Sequence, residues 1–216
     1  MRVASGVFAD RADAGRRLAV LLEPFRDSRP VVVGMARGGV AVAAPVADAL
    51  GAVLDVVVVR KLGHPGQPEL GLGAIGEEGV RIVNEPLVQR LGVSAAVIDE
   101  VARRETAELE RRRTLYRAGR PPVTVAGRPV VVVDDGLATG FTARAAVEVM
   151  RRRRAGRVVV AVSVGSPRAR AALEAVADEV VCVETADDFF GISEWYRDFH
   201  QVSDDEVARL LQTPGP

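Results

Sequence analysis

Two adjacent acids, Asp134 and Asp135, follow four consecutive valines (130–133) and precede Gly136-Leu137-Ala138-Thr139-Gly140-Phe141-Thr142, a run of small residues and hydroxyls. The valines read as a buried strand, and the apolar periodicity of 143–150 reads as a helix. A strand, a small-residue loop and a helix in that order turn main-chain N–H groups toward an anion at the helix N-terminus. Carboxylates repel phosphate, so acids beside such a cradle make sense when one ligand carries both a phosphate and a pair of hydroxyls. A ribose 5-phosphate is such a ligand. The plainer reading, a simple turn after a strand, leaves unexplained why Arg37 and Lys61 each follow the end of another predicted strand and so reach the same rim.

The elements that must position these residues alternate. Periodicity predicts helices over 10–25, 40–50, 94–116, 143–154, 168–177 and 204–211, with Ser94 and Ser203 as N-caps of the third and last. Strands are predicted over 30–34, 53–60, 80–83, 129–133, 157–164 and 179–183. Residues 61–79, rich in Gly and Pro, read as an extended or mobile loop, and 185–200 as an irregular aromatic segment. Strands alternating with helices imply right-handed crossovers and an α/β fold, a mainly parallel sheet flanked by helices. The sequence has no internal repeat and no linker. One domain is expected, with a core of about 10–61 and 128–184, an insertion of about 62–127 over the strand C-terminal ends, and a hood segment of about 185–216.

Composition narrows the function classes. A chain of 216 residues that is 48% hydrophobic can bury a sizeable core. Its 29 basic and 29 acidic residues cancel, which argues against nucleic acid or an anionic membrane as partner. No apolar run is long enough to span a bilayer, and residues 1–10 lack a signal-peptide pattern, so a cytoplasmic protein is expected. The single cysteine, Cys182, lies in an apolar stretch and reads as an inert thiol.

The stretch 130–142 resembles the phosphoribosyl-pyrophosphate (PRPP) motif of the type I phosphoribosyltransferases. By that resemblance Asp134 and Asp135 hold the ribose 2- and 3-hydroxyls. Residues Ala138, Thr139, Gly140, Phe141 and Thr142, entered through Gly136 and Leu137, wrap the 5-phosphate. Gly136 departs from the family, which usually has an apolar residue there, and is expected to loosen the loop slightly. Ala36-Arg37-Gly38-Gly39 resembles the family's pyrophosphate loop, which often carries a non-proline cis peptide, here expected at Ala36–Arg37. Arg60-Lys61 resembles a basic pair of adenine and orotate enzymes. Arg37 and Lys61 would then offset the charge of departing pyrophosphate.

The resemblance implies Mg2+-dependent transfer of the phosphoribosyl group from PRPP to a nitrogenous base. The metal is expected to be held mainly by the substrate, with Asp134 and Asp135 nearby. Enzymes for 6-oxopurines usually carry an aspartate where Ala138 stands, so the expected acceptor is a base other than a 6-oxopurine. Phe189 and Phe190 could stack on that base or simply pack, whereas Trp195, Tyr196 and Phe199 read as packing residues. A homodimer is expected by family habit. Two other functions stay open: a donor-sensing binding protein without catalysis, and a hydrolase of a ribosyl phosphate.

Three further signals are set aside. Gly71-Leu72-Gly73-Ala74-Ile75-Gly76 matches a dinucleotide fingerprint but follows a Pro-rich stretch and precedes a poor helix start, so it reads as a flexible hood loop. The arginine runs 111–113 and 151–154 read as solvated helix faces, although an arginine of the first could reach over pyrophosphate. His64 and His200 have no ligand partners at metal spacing and read as surface residues.

Overall fold

A computed structural model describes residues 7–187 and 191–212. The main sheet holds β1 (Val31–Met35), β2 (Val53–Val57), β6 (Pro129–Asp134), β7 (Arg157–Gly165) and β8 (Glu179–Thr185), in the order β2-β1-β6-β7-β8. All four pairings are parallel. Helices cover both faces, which is why the strands read as unbroken valine rather than alternating pattern. On one face Val131 and Val133 pack with Leu18, Val42 and Val46, from α1 (Arg11–Leu22) and α2 (Gly38–Leu50). On the other, Val130 and Val132 pack with Ala145 and Val149 of α5 (Phe141–Arg152).

The expected mainly parallel α/β sheet is therefore present, but the segment 61–79 is not a loop. The strand expected over 53–60 divides at Val58. There the chain leaves the main sheet because the Val58 N–H donates to the Glu77 carboxylate at 2.7 Å instead of continuing a ladder. β3 (Val59–His64), β4 (Gln67–Gly76) and β5 (Val80–Val83) then form a second, antiparallel sheet. Leu62 and Leu72 are fully buried in it. The expected loop over 61–79, with its fingerprint glycines, is thus a hairpin. Its glycines serve strand approach: a Cβ on Gly73 would lie 2.1 Å from the Ile82 carbonyl oxygen. α5 packs against both sheets.

Two more helices follow. α3 (Glu85–Leu91), which periodicity did not reveal, is capped by Asn84 and closed by Gly92 at φ 63°. α4 (Ala95–Arg117) starts at Ser94, which accepts from the Val97 N–H as expected. α6 (Pro167–Glu174) follows β7, and α7 (Asp204–Gln212) begins with Ser203 accepting from the Glu206 N–H. Arg111 and Arg113 lie on a solvated face as expected, but the end of α5 is not plainly solvated. Arg153, 9% exposed at its side chain, is held at 2.6 Å by Glu77, and Arg111 ties α4 to Asp204 of α7 at 2.8 Å.

Candidate active site

Parallel pairing places the C-terminal ends of β1 and β6 side by side, with Gly34 opposite Val133. The loops leaving these two strands therefore meet. From β1 comes Ala36-Arg37-Gly38-Gly39, and the Ala36–Arg37 peptide is cis, where the resemblance placed it. From β6 come Asp134 and Asp135. The two glycines let the first loop lie against the acids. A Cβ on Gly38 would sit 2.0 Å from Asp135 Oδ2, and one on Gly39 would sit 2.5 Å from the Val133 carbonyl oxygen and 3.0 Å from Asp134 Oδ1.

The acid pair is braced from behind. The Asp135 N–H donates to Asp134 Oδ1 at 2.9 Å. Arg11 Nε donates to Asp135 Oδ2 at 2.8 Å, and Arg11 Nη1 donates to the His200 carbonyl at 2.8 Å. The guanidinium lies 3.8 Å from the centroid of the Phe199 ring. The Asp135 carbonyl accepts from Tyr196 OH at 2.7 Å and from the buried Ser163 hydroxyl. Burial and the neighbouring charge of Asp135 push the Asp134 carboxyl well above the usual carboxylate range. Burial pushes Asp135 up as well, opposed by Arg11. Burial also raises the Tyr196 phenol, which keeps it a donor.

Beyond the acids the loop is pinned to β7. The Leu137 N–H donates to the Val164 carbonyl at 2.8 Å, and the Leu137 carbonyl accepts from the Ser166 N–H. Gly136 does not loosen this loop. A Cβ there would lie 2.7 Å from Ile192 Cγ2, so the Ile192 side chain occupies the space a larger residue would need. Ala138 and Thr139 are exposed, and Gly140 at φ 81° opens α5 with no side chain capping its first N–H groups. Phe141 and Thr142 occupy the first two positions of α5.

Not every expected residue joins this centre. Arg37 lies within 3.8 Å of Asp204, which also receives the Tyr116 hydroxyl. Arg60 and Lys61 lie within β3 rather than at a parallel strand's end. Arg60 is bound to Glu105 at 2.7 Å, and Lys61 Nζ donates to the Glu69 carbonyl and carboxylate. Phe189 and Phe190 fall outside the described residues. Trp195 and Tyr196 are buried with Phe8, as packing residues should be, but Tyr196 also holds the acid segment. Sequence reasoning missed Arg11, Ser163 and the site role of Tyr196. One signal was available: Arg11 is a cation in the first turn of a helix, where the dipole disfavours it.

Comparison with known proteins agrees with this architecture. The profile of the phosphoribosyl transferase domain matches residues 11–199. Two proteins of Mycobacterium tuberculosis, from strains CDC 1551 and H37Rv and each named "Putative phosphoribosyl transferase", are 49% identical over 205 residues. That alignment covers 95% of this chain but 46% of theirs, so the chain spans about half the length of these relatives. The crystal structure of TT1426 from Thermus thermophilus superposes with a TM-score of 0.78 at 43% identity, covering 94% of this chain and 97% of that one. The chain belongs to the phosphoribosyl transferase domain family.

Proposed function

We propose that the chain transfers the 5-phosphoribosyl group of PRPP to a nitrogenous base other than a 6-oxopurine, releasing pyrophosphate. The observation that carries this is the meeting of three features on one rim. Asp134 ends β6 and Asp135 follows it, the uncapped start of α5 lies just beyond them, and Gly38 and Gly39, the first residues of α2, rest on the acids. Asp134 and Asp135 receive the ribose diol. Main-chain N–H groups from Ala138 to Thr142 and the threonine hydroxyls hold the 5-phosphate. The loop from Ala36 to Gly39 holds the pyrophosphate, and Arg37 exchanges Asp204 for it. Lys61 assists once it leaves Glu69.

The side chains at the centre offer oxygen donors, which suit a hard divalent cation. Among the described residues no three His, Cys, Asp or Glu side chains cluster to hold a metal. Magnesium would be bound mainly by the oxygens of PRPP, with Asp134 and Asp135 beside the ribose. When bound it neutralises charge on the leaving pyrophosphate. Negative charge at the acid pair favours a sugar ring that becomes cationic as the C1 bond loosens. The acceptor reading rests on Ala138, which supplies no carboxylate to assist a 6-oxopurine.

The test is pyrophosphate release from PRPP and magnesium, with and without a panel of bases. Release with one base is expected. Binding without release would instead mark a donor sensor, and release with water alone a hydrolase. A folded variant carrying both Asp134→Asn and Asp135→Asn that still bound PRPP normally would refute the assigned roles.

A further inference from the structure

We propose that Arg11 is the positioning residue of the acid pair, fixing the Asp135 carboxylate and lowering the net negative charge beside the two anion-binding loops. This rests on the reading that the acid pair binds a ribose phosphate. Arg11 is 7% exposed and Asp135 9%, and their contact is a direct 2.8 Å Nε–Oδ2 bond. Charge-assisted bonds of this kind are short and directional. The guanidinium has little freedom. The His200 carbonyl holds Nη1, and the Phe199 ring lies 3.8 Å from the guanidinium carbon. Asp135 is held at its other end, since its carbonyl accepts from Tyr196 and Ser163. Side chain and main chain are thus both clamped.

Placement of the clamp matters in two ways. Gly38 has no room to spare against Asp135 Oδ2, so a shift of that carboxylate displaces the start of α2 at Gly38 and Gly39. Donor binding also brings phosphate and pyrophosphate to a rim that already carries two carboxyls. Arg11 is the cation in direct contact with that pair among the described residues, and its side chain is 8% exposed. It acts through Asp135 and not on the donor.

Calorimetric titration with PRPP and magnesium tests this. Arg11→Met should weaken donor binding at least about tenfold, equivalent to about 1.4 kcal/mol. Phe199→Leu, which loosens the guanidinium while keeping its charge, should weaken it severalfold and serves if Arg11→Met fails to fold. Arg11→Lys should recover thermal stability better than donor affinity, because an ammonium cannot reproduce the guanidinium's fixed fork to Asp135 and His200. Arg16→Met, on the exposed face of α1, should change nothing. In an Asp135→Asn background the effect of Arg11→Met should vanish. A folded Arg11→Met with wild-type affinity overturns the positioning role. So does an Arg11→Met effect that persists without the Asp135 charge, which would mean direct contact with donor. Affinity losses that merely follow melting temperature across all variants overturn it as well. If the wild-type protein does not bind PRPP, the functional reading itself fails.

Discussion

Glu77 is the joint between the two sheets, and removing it should unfasten them. Its side chain is about 1% exposed and receives four donors. Arg117 Nη1 donates to Oε2 at 2.6 Å and Nη2 to Oε1 at 3.2 Å. Arg153 Nη2 donates at 2.6 Å and the Val58 N–H at 2.7 Å. These donors come from the end of α4, the turn after α5, and the point where the chain passes from β2 to β3. In Glu77→Ala two buried guanidinium groups lose their shared carboxylate, and a buried main-chain N–H loses its acceptor. Removing one partner of a buried ion pair costs about 3–5 kcal/mol. For a domain of this size each kcal/mol shifts the melting temperature by roughly 2–4 °C, so a fall of roughly 6–20 °C is expected. Glu77→Gln keeps an acceptor for Val58 but drops the charge, and should fall by about half as much. The control is Glu69→Ala, whose partner Lys61 lies at the surface and whose loss should cost under about 1 kcal/mol. Circular dichroism melts, with urea titration for the free energies, read all three. A Glu77→Ala protein less than about 1 kcal/mol below wild type would refute the idea that this carboxylate joins the sheets.

Asp134→Asn should stabilise the ligand-free protein at neutral pH. Its carboxyl is raised above 3.8, so it binds its proton more tightly folded than unfolded. Its contribution is full below pH 3.8 and lost as pH climbs through the folded value, so the variant's melting advantage should widen with rising pH; an advantage that shrank would contradict the sign. Gly38→Ala should abolish detectable PRPP binding, because the new methyl and the Asp135 carboxylate cannot both fit; titration showing wild-type affinity would count against the close packing of loop and acid. Gly136→Ala should cost about 1–3 kcal/mol by overpacking against Ile192. In an Ile192→Ala background, which removes all three clashing atoms, Gly136→Ala should cost little, and urea melts showing the full cost there would mean the clash lies elsewhere.

What is legible in the sequence is local. The acids, the loop over 136–142 and the Ala36–Arg37 cis peptide each sit within a few residues of a strand end, so type and spacing alone bring them together once the strands run parallel. Contacts between distant residues leave almost no trace. Arg11 and Asp135 are 124 positions apart, and only the oddity of a cation in a first helical turn hints at the bond. Glu77 reads as part of a poor helix start because nothing near it in sequence shows that Arg117 and Arg153 converge there. α3 is short, with only two buried residues, so it has no periodicity to detect, although Asn84, Pro86 and Gly92 mark its ends.

The glycines explain the largest misreading. In 61–79 they suggest looseness, yet at Gly73 and Gly76 a side chain would collide with backbone or with Val149. At Gly38 and Gly136 the same lack of a Cβ serves the site, since the acids and Ile192 fill the space. A glycine therefore marks close approach as readily as a bend, and the leucines that alternate around Gly71 and Gly73 carry the deciding information. Close packing also bears on the loop after the acids. The exposed Ala138–Thr139 arch is tied at Leu137 to β7 and runs at Gly140 into α5, so both of its ends are set by regular structure while its two central side chains face outward.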